Sequence, residues 1–196
     1  GIGHLVIVDH DVVDETNINR QIIALTETVG RDKVEVMKER LFGINPDCTV
    51  TAKKKFLLPS NKDEFDFAGS DFVVDAIDTV SAKLTIIEEC LKNGVPVISS
   101  MGTGNKLHPE LLEISDVSKT SVCPLARVMR RELRARGIAH LPVLWSREEP
   151  IRPAFVPENQ PKGASAPASS PFVPSSAGIL IASYVVRQLL DDKSGA

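Results

Sequence analysis

The chain has 196 residues, 42% of them hydrophobic, which suits one ordinary domain built on a single large core. Its formal net charge of −3 excludes a globally basic nucleic-acid binder while leaving room for a local basic face. Three cysteines, Cys48, Cys90 and Cys123, lie far apart with no CxxC pair, which argues against a disulfide framework and for a reducing, cytoplasmic compartment.

Leu5 to Asp9 reads as a buried strand, and Gly30 to Leu41 as an amphipathic helix that places Val34, Met37 and Leu41 on one face and ends near Gly43 and Pro46. A short strand is expected from Thr49 to Ala52, and a strongly apolar one from Phe72 to Asp78. Thr79 and Ser81 then signal a helix from about Ala82 to Asn93, closed by Gly94. Val95 to Ser99 is the next buried strand, followed by a glycine-rich turn at 101–105 and a further strand from Leu111 to Ile114.

Pro124 to Arg136 has the proline-first, glycine-after asymmetry of a helix, with Gly137 behind it, and Leu141 to Trp145 reads as a strand. Residues 146–176 are rich in proline, alanine and serine without an apolar period, so an irregular crossover is expected. Gly178 to Leu190 is apolar on nearly every side, and predicts a buried helix packed on the sheet or across a dimer interface. No apolar segment reaches about 18 uninterrupted residues and no signal peptide is visible, so neither a membrane span nor export is expected. The alternation of strands and helices predicts an α/β fold, a mostly parallel Rossmann-like sheet with helices on both faces, and residues 1–196 read as a single domain.

Asp9 and Asp11 stand at the mouth of the first strand, where open α/β sheets bind ligands. A solvated strand end is the plainer reading, and the dense polar run Asn17-Ile18-Asn19-Arg20-Gln21 downstream outweighs it. Together they predict a nucleoside triphosphate site. Asp78 repeats the logic at the second apolar strand. It is a candidate Mg²⁺ ligand, because Mg²⁺ prefers hard oxygen donors, or alternatively a cap for the following helix. Arg20 and Lys33 are candidate catalytic cations, able to stabilise charge developing on a phosphate. Lys33 falls in the first turn of its helix, a poor place for a cation unless an anion lies nearby.

The helix after Pro124 carries Arg127, Arg130, Arg131 and Arg134 on one face, with Glu132 its sole acid. Like charges stacked this way destabilise a lone helix, so a polyanion such as an RNA backbone is one reading; a solvated or acid-paired face is the other. Cys123 stands just before that helix, where a thiol is either activated or simply a small buried residue.

These residues resemble the E1-like adenylating enzymes of the ThiF and MoeB type. The matching motifs are Val8-Asp9-x-Asp11-x-Val13, the run Thr16 to Gln21, Val29-Gly30-x-x-Lys33 and Asp75-Ala76-Ile77-Asp78. Within that group the chain is most similar to the tRNA threonylcarbamoyladenosine dehydratases, through Ile44-Asn45-Pro46 and the segment Ile114 to Thr120 running into Pro124-Leu125-Ala126. The resemblance implies that Asp9 holds the ATP ribose, that Asn17, Arg20 and Lys33 contact phosphates, and that Asp78 supports Mg²⁺; Asp11 and Gln21 are further candidate cofactor-binding residues. It further implies a homodimer, and ATP-dependent cyclisation of threonylcarbamoyladenosine in tRNA through a carboxyl-adenylate; independently of it, the stripe of Arg127, Arg130, Arg131 and Arg134 is expected to contact the tRNA backbone. A sulfur acceptor or cysteine desulfurase is an additional expected partner.

The family's glycine-rich phosphate loop is expected before the first strand, so the chain reads as N-terminally incomplete, lacking a strand, glycine loop and helix. Two other functions stay open. One is adenylation of a ubiquitin-like sulfur carrier, disfavoured by the lack of zinc-binding CxxC pairs; the other is a noncatalytic nucleotide-binding module.

Overall fold

The computed structural model describes residues 1–151 and 168–194, which fall into two compact units, Gly1–Leu57 and Leu58–Ala196. In the first unit β1 (His4–Val8) pairs in parallel with β2 (Thr49–Lys53), and the connection runs through α1 (Lys33–Ile44). Parallel neighbours need such a crossover, and the sequence provides one. Between β1 and α1 the chain makes two 3-10 turns, Glu15–Asn17 and Thr26–Thr28. They fold over a small core of Val13, Ile23, Ala24 and Val36, with Met37 against it.

Helix α1 starts at Lys33, three residues after the expected start. Gly30 has φ +86°, the left-handed region that glycine tolerates, and Asp32 takes the extended conformation of an N-cap. The helix continues through Gly43 and stops at Ile44, before Pro46. The expectation that β1 is buried is corrected: Val6 and Val8 are exposed.

The second unit holds a four-stranded sheet in the order β3 (Val73–Asp75), β4 (Val97–Ser100), β6 (Pro142–Ser146), β5 (Leu112–Asp116). β3, β4 and β6 are parallel, and β5 runs antiparallel to β6 at the edge. The helices are α2 (Val80–Lys92), α3 (Pro124–Ala135) and α4 (Phe172–Ser194).

Successive residues of a strand point to opposite faces, and β4 shows what covers each. Ile98 joins Leu144 of β6 and Ala177 and Ile181 of α4 in one cluster. Ser99 faces the other way and meets Lys83 of α2. Helices therefore cover both faces of this sheet, as the α/β pattern predicts.

Strand β3 is shorter than the expected run from Phe72 to Asp78, because the Asp75 carboxylate accepts the amide of Ile77 at 3.3 Å and turns the chain out of the ladder. α4 begins at Phe172, six residues before the expected start at Gly178, with Pro174 in its first turn, where its missing N–H costs no helical bond. The expected irregular stretch 146–176 is accordingly cut at both ends, by Ser146 in β6 and by α4, and its central residues 152–167 lie outside the described residues.

The expectation of a wholly buried last helix is corrected as well. Val173, Ala177 and Ile181, spaced by four, form its buried stripe, while Phe172, Ile179 and Leu190 are exposed. By length and composition alone α4 is also long and apolar enough to cross a membrane, a length the sequence reading did not assign to it, because the helix starts upstream of Gly178.

Candidate active site

In the first unit the candidate residues gather just beyond β1. Asp9 Oδ1 accepts the amide of Asp11 at 2.9 Å, which folds the chain back as it leaves the strand. Asp11 in turn anchors Lys33: its carbonyl takes the Lys33 amide at 3.1 Å and its Oδ2 takes Nζ at 2.8 Å. The anion that a lysine at a helix start requires is therefore Asp11. Lys33 is 9% exposed, and its hydrogen bond holds the Asp11 carboxyl below its usual range.

Asn17 is 7% exposed and its Oδ1 accepts the Asp14 amide at 3.1 Å, while Asp14 Oδ1 accepts the amide of Thr16 at 2.8 Å. Its side chain thus closes a capping box on the first 3-10 turn. Arg20 lies at the end of that turn, where Nη1 donates to the Thr16 carbonyl and to Asn19 Oδ1, both at 2.9 Å. Gln21, half-buried, donates its amide to the Asn17 carbonyl at 2.9 Å. Asp9, Asp11, Asn17, Arg20, Gln21 and Lys33 are thus held by one tight loop-and-turn framework. Its chemistry is two carboxylates beside two cations, suited to a ligand with hydroxyl and phosphate groups.

In the second unit Asp75 and Lys83 form an ion pair with both side chains fully buried, Nζ lying 3.1 Å from each carboxylate oxygen. Ser99 Oγ donates to Asp75 Oδ2 at 2.5 Å, and Lys83 Nζ donates to the Ser100 carbonyl at 2.7 Å. Every partner comes from the C-terminal end of β3 or β4, so the lysine ties those two strand ends together. Burial pushes the Lys83 ammonium down from its ordinary pKa, and the Asp75 charge opposes that shift.

Lys83 is the buried charge that sequence reading missed. It stands among Ile86, Ile87 and Cys90 at spacings of three, four and seven, so a lysine on an otherwise apolar stripe was the available signal. Asp78 lies in the loop between β3 and α2 and is exposed. It does not cap α2, whose N-cap is Thr79; Thr79 Oγ1 donates to Asp78 Oδ1 at 3.3 Å. Its exposed carboxylate has the donor chemistry for a hard cation.

Helix α3 buries Ala126, Met129 and Leu133 and turns its arginines outward, where Arg127, Arg130, Arg131 and Arg134 line a surface groove of about 430 Å³. They are not equivalent. Arg130 folds back onto the carbonyl of Thr120 at 2.7 Å and onto its hydroxyl, and Arg131 pairs with Glu132 at 2.9 Å. Arg127 and Arg134 have no carboxylate within ion-pair distance among the described residues. Cys123, at the N-cap of α3, is buried, as the plainer of its two readings predicts.

The ThiF family model matches residues 1–194. A tRNA threonylcarbamoyladenosine dehydratase of Bacillus subtilis (strain 168) is 43% identical over 201 residues, covering 98% of this chain and 79% of that protein. The protein of the same name from Haemophilus influenzae is 42% identical over 134 residues, 68% of this chain and 51% of its own. The structure of the Escherichia coli tRNA N6-threonylcarbamoyladenosine dehydratase in complex with ATP superposes with a TM-score of 0.86 at 30% identity, covering 98% of this chain and 77% of that one. From its sequence, its fold and these relatives, the chain belongs to the ThiF family.

Proposed function

We infer that this protein is an ATP-dependent tRNA threonylcarbamoyladenosine dehydratase. ATP adenylates the carboxylate of the threonylcarbamoyl group on the adenosine, and pyrophosphate leaves. The carbamoyl group then closes on the activated carbonyl, expelling AMP and giving a cyclic product one water lighter. A carboxylate oxygen is a poor leaving group and AMP a good one, so the protein's work is positioning and charge stabilisation.

The observation that carries this reading is the preorganised cluster beyond β1: Lys33 clamped to Asp11 at 2.8 Å, with Arg20 held on the adjacent turn. Fixed cations of this kind stabilise charge developing on a phosphate without reorganising at the moment of reaction. Asp9 takes the ribose hydroxyls, Asp11 orients Lys33, and Arg20 and Lys33 meet the phosphates. Asn17 shapes the turn that presents Arg20, and Gln21 lies beside it. In the second unit the exposed Asp78 carboxylate would hold Mg²⁺, a hard cation that would supply charge neutralisation to a phosphate ligand. Support comes from the ATP-bound E. coli relative and from the shared name of the Bacillus and Haemophilus proteins.

Arg127 and Arg134 are the tRNA backbone contacts of α3, with Arg131 available on exchange of Glu132 for phosphate, and Arg130 positions the helix through Thr120. Both units belong to one adenylating domain, which acts as a homodimer in the cytoplasm.

The test is ATP–pyrophosphate exchange with purified protein. Exchange that depends on threonylcarbamoyl-modified tRNA, and fails with unmodified tRNA, is expected. Exchange stimulated instead by a ubiquitin-like sulfur carrier would move the function to carrier activation.

A further inference from the structure

The loop from β3 to α2, residues 76–79, carries Asp78, and both of its ends run back to Lys83. On the β3 side, Asp75 Oδ1 accepts the Ile77 amide at 3.3 Å and Lys83 Nζ at 3.1 Å. On the α2 side, the Lys83 amide donates to the Thr79 carbonyl at 3.0 Å, and Thr79 Oγ1 donates to Asp78 Oδ1 at 3.3 Å. Asp78 is therefore held between two anchored neighbours, Ile77 and Thr79. Its charge also acts on the Lys83 ammonium, in the same direction as that of Asp75.

The two anchors differ in origin. The bond to the Thr79 carbonyl is the first hydrogen bond of α2, which forms whatever side chain stands at position 83. The bond to the Ile77 amide needs the Asp75 carboxylate in place, and a carboxylate at zero exposure needs a counter-charge. Lys83 supplies that charge, and its further bonds to Ser99 Oγ at 3.3 Å and the Ser100 carbonyl at 2.7 Å fix it against β4. Set against apolar side chains of similar volume, a buried ion pair is a weak source of stability, so stability alone does not account for this one. Lys106, the other lysine buried in this unit, is the contrast: at 2% exposure its Nζ donates to a backbone carbonyl, that of Glu148, at 3.1 Å.

We propose that Lys83 is a positioning residue for the reaction: through Asp75 it fixes the backbone at Ile77, and so holds the Asp78 carboxylate in one place for a divalent cation. The inference rests on the assignment of Mg²⁺ to Asp78. With its side chain fully buried, Lys83 itself touches no ligand. Its part is that of a residue behind a metal ligand, which sets how well the ligand is aimed.

The full chain is titrated calorimetrically with α,β-methylene ATP, with and without Mn²⁺ as the probe for Mg²⁺. The double variant Lys83→Met with Asp75→Leu removes the acceptor for Ile77 and leaves no buried charge unpaired. It is expected to bind the metal-free analogue as the wild type does and the Mn²⁺ complex about 10–100-fold more weakly. Asp78→Asn should lose at least as much. Where the double variant does not fold, Ser99→Ala decides in its place: it removes the Ser99 donor to Asp75, leaves the ion pair, and should weaken the Mn²⁺ complex about 3-fold. Binding of the Mn²⁺ complex at wild-type strength by the deciding variant, while Asp78→Asn loses it, would overturn the role of Lys83. Equal weakening with and without Mn²⁺ would overturn it too, as a general loss of structure. Wild-type affinity in Asp78→Asn would remove the cation from Asp78, and the inference with it.

Discussion

Two strand ends in this molecule begin from the same sequence pattern, an apolar run closing on acids, and reach opposite physical states. Beyond β1, Asp9 and Asp11 stay in contact with solvent, and Asp11 holds Lys33 through one carboxylate oxygen while His10 Nε2 lies 3.1 Å from the other. At the end of β3, Asp75 is sealed with Lys83 and Ser99 at zero exposure, and the second acid of the motif, Asp78, is left exposed. The first acid of the β3 motif is therefore a strut. The difference teaches that a carboxylate's place in a motif does not decide whether it binds ligand or architecture; the partner on the neighbouring element does.

Removing the strut gives the largest expected effect. Lys83→Met leaves Asp75 buried and uncompensated, and should destabilise by about 3–5 kcal/mol in chemical denaturation. A double variant, Lys83→Met with Asp75→Leu, should recover most of that loss, since a buried pair replaced by apolar groups is often neutral. A double variant no more stable than the single one would show that the Asp75 charge has another partner.

At the open end the loss should fall on rate. Arg20→Ala is expected to lower kcat for AMP release by about 10²–10³, as for removal of a preorganised donor, with little change in thermal midpoint. An unchanged kcat would remove Arg20 from the phosphate site.

Charge reversal on α3 sharpens the comparison by touching neither strand end. Arg127→Glu with Arg134→Glu should weaken tRNA binding and reduce the slope of log affinity against log salt by about 0.7–0.9 per lost contact, with ATP affinity intact. An unchanged slope would assign the groove to solvent.

The smallest effect is a pH dependence. Asp11 is held below its ordinary 3.8, chiefly by the Lys33 hydrogen bond, so the unfolded chain takes up this proton more readily than the folded one. Its contribution is complete above 3.8 and is lost as pH falls through the lower folded value. The stability difference between wild type and Lys33→Met should therefore shrink on acidification below 3.8; a difference independent of pH would show that Lys33 acts without Asp11.

Much of this was legible in the sequence because it was local. β1, α1, β2, α2, α3 and β6 follow from period and punctuation, and the cluster beyond β1 spans a short stretch of chain. The contacts that sort the residues by role were not legible, because they join distant positions: Asp75 to Ser99, Lys106 to Glu148, Arg130 to Thr120. Lys83 left a trace, a lone cation on an apolar stripe, whereas Lys106 follows a glycine-rich turn with no pattern to mark it. The end of β3 was misplaced for the same reason: apolar composition continues to Ile77, and a side-chain bond from Asp75 ends the ladder early.

The most direct test incubates the protein with ATP and threonylcarbamoyl-modified tRNA, digests the tRNA, and weighs the nucleoside by mass spectrometry. Loss of one water from the modified adenosine, with one AMP released for each cyclisation, is the predicted result. An unchanged nucleoside, with or without ATP consumption, would contradict the dehydratase assignment.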